Sequence, residues 1–326
     1  MTIYDIAAEA GVSASTVSRV INNKSGVRTQ TRELVESLLK KYNYSPDEAA
    51  RGLVNKNTKM IGILVSDIRN QHYTDGAYII EQELLDKGYC SLIFNTGGDD
   101  EKKARYVRLL AQRKVEGAVF IGSNFATEEV RNAVKTYLAG IPIVMANGSL
   151  DLDNVYSVLA DDEGGVSGIV RYLYDQGRQR IVYLDGEDTP SNKLKRKGYE
   201  SAIAALGLNS ECYIAEESSF DGGLRAMSQM LDNGPCPDGV ICAVDVIAIG
   251  ALRAAADRGI AIPSAMSVIG IDNLPYAAYS NPRLSSLDNH LLDLSVCCAR
   301  TLIDAFSGKP VVRKILIPSD LVIRES

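Results

Sequence analysis

"GVSASTVSRVINNKSG", residues 11–26, decides how the N-terminal end of this chain folds. Val17, Val20 and Ile21 repeat at helical spacing, so one face of a short helix is buried here. The opposite face presents Ala14, Ser15, Arg19 and Asn22, with Ser13 and Thr16 near its start. Upstream, Ile3, Ile6, Ala7 and Ala10 follow the pattern of an amphipathic helix, Gly11 supplies a turn, and Ser13 is placed to cap the second helix. Downstream, Thr29 or Thr31 starts a third helix with Leu34, Val35, Leu38 and Leu39 as its buried stripe. Helix, short glycine turn, helix is the arrangement in which the second helix lies in the major groove and its early residues meet base edges. There Arg19 can donate two hydrogen bonds to a guanine edge. Ala14 and Ser15 are small enough for close base approach, and the hydroxyls of Ser13 and Thr16 suit phosphates. The same pattern also fits a three-helix packing unit with a solvated polar face.

Charge and composition bear on that choice. Residues 1–59 hold nine Lys/Arg and six Asp/Glu, a net of +3, whereas the whole chain of 326 residues nets −6 and its remainder −9. A basic end on an acidic body is compatible with nucleic-acid contact, although a charge run alone is also an ordinary solvated face. With 46% hydrophobic and 23% charged residues the composition is that of a globular protein. No apolar run approaches the roughly eighteen residues of a membrane span, and "MTIYDIAAEAG" lacks the basic and apolar regions of a signal peptide. The six cysteines show no metal-type spacing. The expected setting is therefore the cytoplasm, with reduced thiols and no membrane.

"YSPDEAARGLVNKNTK", residues 44–59, carries a capping box at Ser45 and Glu48 with Pro46 at the first helical position. A helix this short, and containing Gly52, is not stable alone. Leu53 has nothing local to cover it, and an apolar wedge at a DNA step would bury it. An ordinary polar linker fits the spacing equally well.

Residues 60–326 alternate β-branched runs with helical stretches. The runs are "IGILVSD" (61–67), "CSLIFN" (90–95), "GAVFIG" (117–122), "IPIVMAN" (141–147), "IVYLDG" (181–186), "GVICAVD" (239–245) and "SVIGID" (267–272). Helical segments such as 100–114, 164–176, 193–206 and 246–259 lie between them. That is an α/β body with parallel sheets, long enough for two lobes, the first ending near residue 158. Ligands of open α/β sheets sit beyond the carboxyl ends of strands, which here carry Asp67, Asn95, Ser123, Asn147, Asp245 and Asp272. Such a set suits a polyhydroxylated ligand, and each member alone could equally cap the next helix.

"TIYDIAAEAGVSASTVSRVINN" followed by "YNYSPDEAARGL" resembles the head and hinge of the lactose/galactose repressor (LacI/GalR) family of bacterial transcription regulators, and the likeness runs to "LVIRES" at the end. The resemblance implies a helix-turn-helix head (1–45), a hinge helix (46–59) and a two-lobed, periplasmic-binding-protein-like body (60–326). The lobes divide at about 60–158 with 290–316, and 159–289 with 317–326. It implies a homodimer on a near-palindromic double-stranded operator, with Ala14, Ser15 and Arg19 as base readers and Leu53 as a minor-groove wedge. Ser13, Thr16, Asn22 and Thr29 complete the DNA-facing set. Asp47 stands where the family usually has Asn or a small polar residue. The family's tetramers add a leucine-heptad tail beyond the point where this sequence ends, so a dimer is expected.

For the body, the resemblance places effector contacts near "NQHY" (Asn70–Tyr73, including His72 and Tyr73) and at Ser123, Lys195, Phe220, Asp245 and Asp272. Two departures stand out. Lys195 replaces the arginine that many relatives carry three residues before a Gly-Phe/Tyr pair, and Val244-Asp245 replaces Asn-Asp. Lysine is a flexible point charge, not a planar fork, so the pocket is not a close copy of known sugar or purine pockets. The expected partner is a sugar or sugar derivative. The alternatives are a nucleobase ligand or a phosphorylated protein docking on the first lobe, the latter suggested by the basic spacing of Lys193, Lys195 and Lys197.

Enzyme chemistry finds little footing. There is no Gly-x-Gly-x-x-Gly after the first strand, no phosphate-cradling Gly-x-x-x-x-Gly-Lys loop and no Gly-x-Ser-x-Gly elbow. "GGDD" (97–100) shares only four letters with a cyclase signature. Two histidines, His72 and His290, leave no histidine-rich metal site. The expectation is a transcription regulator and not an enzyme, with no catalytic residues, cofactor or metal.

Overall fold

The computed structural model describes residues 1–44 and 58–326, and the chain divides into two units, Met1–Lys59 and Met60–Ser326. The expected hinge helix, with Ser45, Glu48 and the wedge Leu53, lies outside the described residues.

The first unit contains three helices, α1 (Ile3–Glu9), α2 (Ala14–Ile21) and α3 (Thr29–Lys41). Thr2 opens α1 with a reciprocal cap: its hydroxyl accepts the Asp5 N–H at 3.3 Å while its own N–H donates to the Asp5 carboxylate at 2.7 Å. Gly11 turns the chain at φ +65°, where a side chain would be strained. Ser13 then caps α2, accepting the Thr16 N–H at 3.3 Å. Ile6, Ala7, Val17, Val20, Val35 and Leu38 form the core. The expected stripe on α3 is too wide: Leu34 is 46% exposed and Leu39 only half-buried, since they flank the Val35–Leu38 line on opposite sides. A Lys41–Glu9 ion pair of 2.9 Å ties α3 to α1, and Arg32 holds the α2–α3 loop through Asn23 Oδ1 (3.0 Å) and the Lys24 carbonyl (2.8 Å).

The second unit is built on two six-stranded sheets. The first contains β1 (Met60–Val65), β2 (Cys90–Asn95), β3 (Gly117–Ile121), β4 (Ile143–Ala146), β5 (Val155–Ala160) and β11 (Lys314–Ile317), in the order β11-β5-β4-β3-β1-β2, all parallel. The second contains β6 (Ile181–Asp185), β7 (Cys212–Ile214), β8 (Gly239–Cys242), β9 (Ser267–Ile271), β10 (Ser285–Asp288) and β12 (Asp320–Val322), in the order β12-β10-β9-β8-β6-β7, with only β12 antiparallel. β1, β3, β6, β8 and β9 are buried throughout or nearly so, as strands covered on both faces must be. The edge strands β2 and β11 have exposed and half-buried positions instead, with none fully buried.

In the first lobe α4 (Gln71–Leu85) and α12 (Leu291–Phe306) share one core with the sheet, while α5 (Asp100–Gln112) and α6 (Glu128–Tyr137) share the other. In the second, α7 (Asp162–Asp175), α8 (Pro190–Ala205), α9 (Phe220–Asn233), α10 (Asp245–Asp257) and the short α11 (Pro275–Tyr279) enclose a single large core. The chain passes between lobes three times: after β5, between β10 and α12, and between β11 and β12. The first passage falls at Asp161, directly after Ala160 at the end of the strand that a boundary at 158 would cut. Among the described residues no helix is long and apolar enough to cross a membrane.

Candidate DNA-reading face and interlobe cleft

On α2, Ser13, Ser15, Arg19 and Asn22 are exposed, with Ala14 and Thr16 half-buried beside them. The Ser13 hydroxyl lies 2.8 Å from that of Ser15 and 3.0 Å from that of Thr16, so the three form one patch at the helix start. Arg19 makes no hydrogen bond or ion pair among the described residues, leaving its guanidinium free for a partner. Asn22 differs from that expectation in part: its amide donates to the Ser18 carbonyl at 2.7 Å, closing the helix end. Thr29 is exposed in the first turn of α3, which has no side-chain cap, so its free N–H groups suit a phosphate.

The body holds a cleft of about 770 Å³ between its lobes. Six of the seven effector residues expected from the sequence line it: His72, Tyr73, Ser123, Lys195, Phe220 and Asp272. From the first lobe, Asn70 caps α4 by accepting the His72 N–H at 3.0 Å, which sets His72 and Tyr73 at the rim. Ser123 follows β3, and its hydroxyl accepts the Ser191 N–H of the second lobe at 3.1 Å. Ser191 in turn donates to the buried Asp162 carboxylate at 2.6 Å. Lys195 is 3% exposed and donates to the Ala243 carbonyl at 2.9 Å. Asp272 sits at φ +108°, a strained angle for a side-chain-bearing residue. Its carboxylate accepts from Asn289 at 3.2 Å and lies 3.9 Å from His72 Nδ1.

Asp245 is the exception and corrects the expected set. It is fully buried behind the wall, where it accepts the Leu274 N–H at 2.8 Å and the Ser286 hydroxyl at 2.5 Å. Burial, and secondarily the Asp272 charge, push its carboxyl up to about 8. Its role is to hold the strained 272–274 turn, and its neighbours Val244 and Val246 face the cleft. Burial likewise raises Asp162, with the Lys195 charge opposing. Burial raises the Tyr73 hydroxyl, the Ser66 side chain opposing and the carboxylates Glu187, Asp272 and Asp67 adding to the rise.

Sequence reasoning missed Glu187, Ser191, Asn192 and Tyr276, which also line the cleft. They lie past the strand ends, in the first turns of α8 and α11 or just before them, where periodicity carries no signal. The basic spacing of Lys193, Lys195 and Lys197 makes no common face. Lys193 pairs with Asp188 at 3.2 Å, Lys197 with Glu163 at 3.0 Å, and Lys195 is buried in the second lobe.

Residues 2–47 match the model for bacterial regulatory proteins of the lacI family, and residues 170–326 match a periplasmic binding protein-like domain. The chain is 33% identical over 330 residues to an HTH-type transcriptional regulator of Lachnoclostridium phytofermentans, covering 100% of this chain and 99% of that protein. This chain belongs to the lacI family. Its lacI-type head and two-lobed body superpose on the lac repressor dimer bound to operator and an anti-inducer with a TM-score of 0.92, at 26% identity, covering 100% and 98% of the two chains. A complex of the transcriptional regulator CelR with cellobiose gives a TM-score of 0.73, also at 26% identity, covering 100% and 99%. As a lacI-family member the protein is a DNA-binding transcriptional regulator.

Proposed function

We propose that this regulator is a cytoplasmic homodimer that represses carbohydrate uptake or catabolism genes and is switched by a sugar or sugar derivative between its lobes. The observation that carries the reading is the cleft, where hydroxyl, amide and carboxylate groups from both lobes converge beside the aromatic Phe220 and Tyr276. The cellobiose held by CelR supports it. Ser13, Ala14, Ser15, Thr16, Arg19, Asn22, Thr29 and Leu53 are assigned to DNA. His72, Tyr73, Ser123, Lys195, Phe220 and Asp272 are assigned to the ligand, with Asp245 behind them. Ile68, Tyr78, Leu85 and Ile93 on the first lobe and Tyr279 on the second are exposed apolar surface suited to a second copy. Sedimentation of the full chain at micromolar concentration should give a dimer, and a stable monomer or tetramer contradicts that assembly. The switch follows from ligand preferring one angle between the lobes, which alters the spacing of paired hinges too short to fold alone. An operator obtained by in vitro selection, titrated with protein with and without a sugar panel, tests the reading. A panel that leaves operator affinity unchanged while calorimetry shows no binding overturns it.

A further inference from the structure

We propose that the cleft accepts polyhydroxylated ligands that are neutral or carry an amine, and refuses those bearing a phosphate or a carboxylate. The inference rests on the reading of the cleft as the effector site. Of the lysine and arginine side chains in its wall, Arg69 is exposed and paired with its neighbour Asp67, and Lys195 is buried and hydrogen-bonded. Arg69 grips Asp67 through two nitrogens at 3.0 and 2.7 Å, and Lys195 donates to the Ala243 carbonyl with the charges of Asp162 and Asp185 beside it. The anion-binding ends of the helices that open on the cleft are engaged as well. Asn70, Thr189 and Ser219 each line it, and each caps its own helix, accepting from His72 (3.0 Å), Asn192 (3.3 Å) and Gly222 (3.0 Å) respectively. α10 and the short α11 have no such side-chain cap; the first residue of α10 is the buried Asp245, whose carboxylate accepts the N–H of Leu274 at the start of α11.

Negative charge, by contrast, is left over. Glu187 and Asp272 both line the cleft, and neither is paired with a lysine or arginine among the described residues. A cleft walled by one sign of charge concentrates ligands of the other sign and repels its own. The 3.9 Å gap between His72 Nδ1, a buried atom without a hydrogen-bond partner, and Asp272 Oδ1 is the polar focus. A ligand hydroxyl or amine that donates to the Asp272 carboxylate is held beside the His72 ring. A phosphate or carboxylate oxygen there meets the Asp272 carboxylate.

The chain has two histidines, which makes the imidazole of His72 a direct reporter; His290→Asn identifies its resonance by elimination. The full-length protein, in a zwitterionic buffer, is titrated with glucose, glucosamine, glucuronate and glucose 6-phosphate, and with the galactose and mannose counterparts. Each titration is followed by the His72 resonance and by calorimetry. The expected result is a neutral or amine-bearing member binding at least about tenfold more tightly than its anionic counterpart. A uronate or sugar phosphate that shifts His72 as strongly as its neutral parent overturns the inference and leaves the sugar reading standing. If no hexose binds, the sugar reading fails, and the charge preference is read from Tris and inorganic phosphate. A His72 shift with Tris alone then supports the inference, and any other pattern overturns it.

Discussion

Arg19 offers two donors in a fixed fork from the middle of the exposed face of α2, and no hydrogen bond or ion pair among the described residues occupies them. Arg19→Ala should cost about 1–3 kcal/mol on a selected operator and little on random duplex, a difference that competition binding measures directly. Equal losses on both would make it a phosphate contact. Asp245 illustrates the opposite case, a residue whose position in the sequence suggested the ligand and whose surroundings assign it to the frame. Its folded carboxyl is raised from 3.8 to about 8, so the native state holds a proton that the unfolded chain releases. Stability from this group is therefore fully present below about pH 4 and declines as pH rises toward 8; Asp162 is shifted in the same direction. Asp245→Asn should flatten that decline in denaturation curves recorded across the interval. An unchanged slope would show that Asp245 is not its source. A lone Asp after a β-strand reads alike whether it faces solvent or core, which is why Asp245 and Asp272 could not be told apart beforehand.

At the scale of elements, the features that were legible are those with a strong period or a local chemical cause. The three head helices followed from apolar spacing and from Gly11 and Ser13. The strands β1, β3, β4, β6, β8 and β9 followed from unbroken apolar, largely β-branched runs. The internal strands β5 and β10, whose apolar runs are broken by Ser157 and by Ser285 and Ser286, gave no such signal, nor did the edge strands β7, β11 and β12, which need neither length nor continuous burial. Helix pairing in the second lobe was equally hidden. α9 and α10 approach so closely that a Cβ on Gly250 would overlap the Phe220 carbonyl, and one on Gly223 the Ile247 carbonyl. Gly250→Ala should destabilise the body by about 1–3 kcal/mol in chemical denaturation and displace Phe220 at the cleft rim. A variant as stable as the parent would mean the helices can part without cost.

At the scale of the whole molecule, the cleft and the passages between lobes are joined by hydrogen bonds. Asp272 accepts from Asn289, which precedes the passage into α12, and Asn289 accepts from Ser319, which lies in the passage from β11 to β12, at 3.0 Å. A ligand that engages Asp272 therefore acts on the segments about which the lobes turn, and it can shift their equilibrium only by its differential affinity for the two states. The most direct test is fluorescence anisotropy on a selected operator with the parent and Asp272→Gly, each with and without the sugar that calorimetry shows to bind. Glycine removes the carboxylate while tolerating the φ of +108°. The account predicts that ligand changes the operator affinity of the parent by about 5- to 150-fold and that of Asp272→Gly not at all, with both proteins equal in its absence. A full ligand response from Asp272→Gly would contradict it.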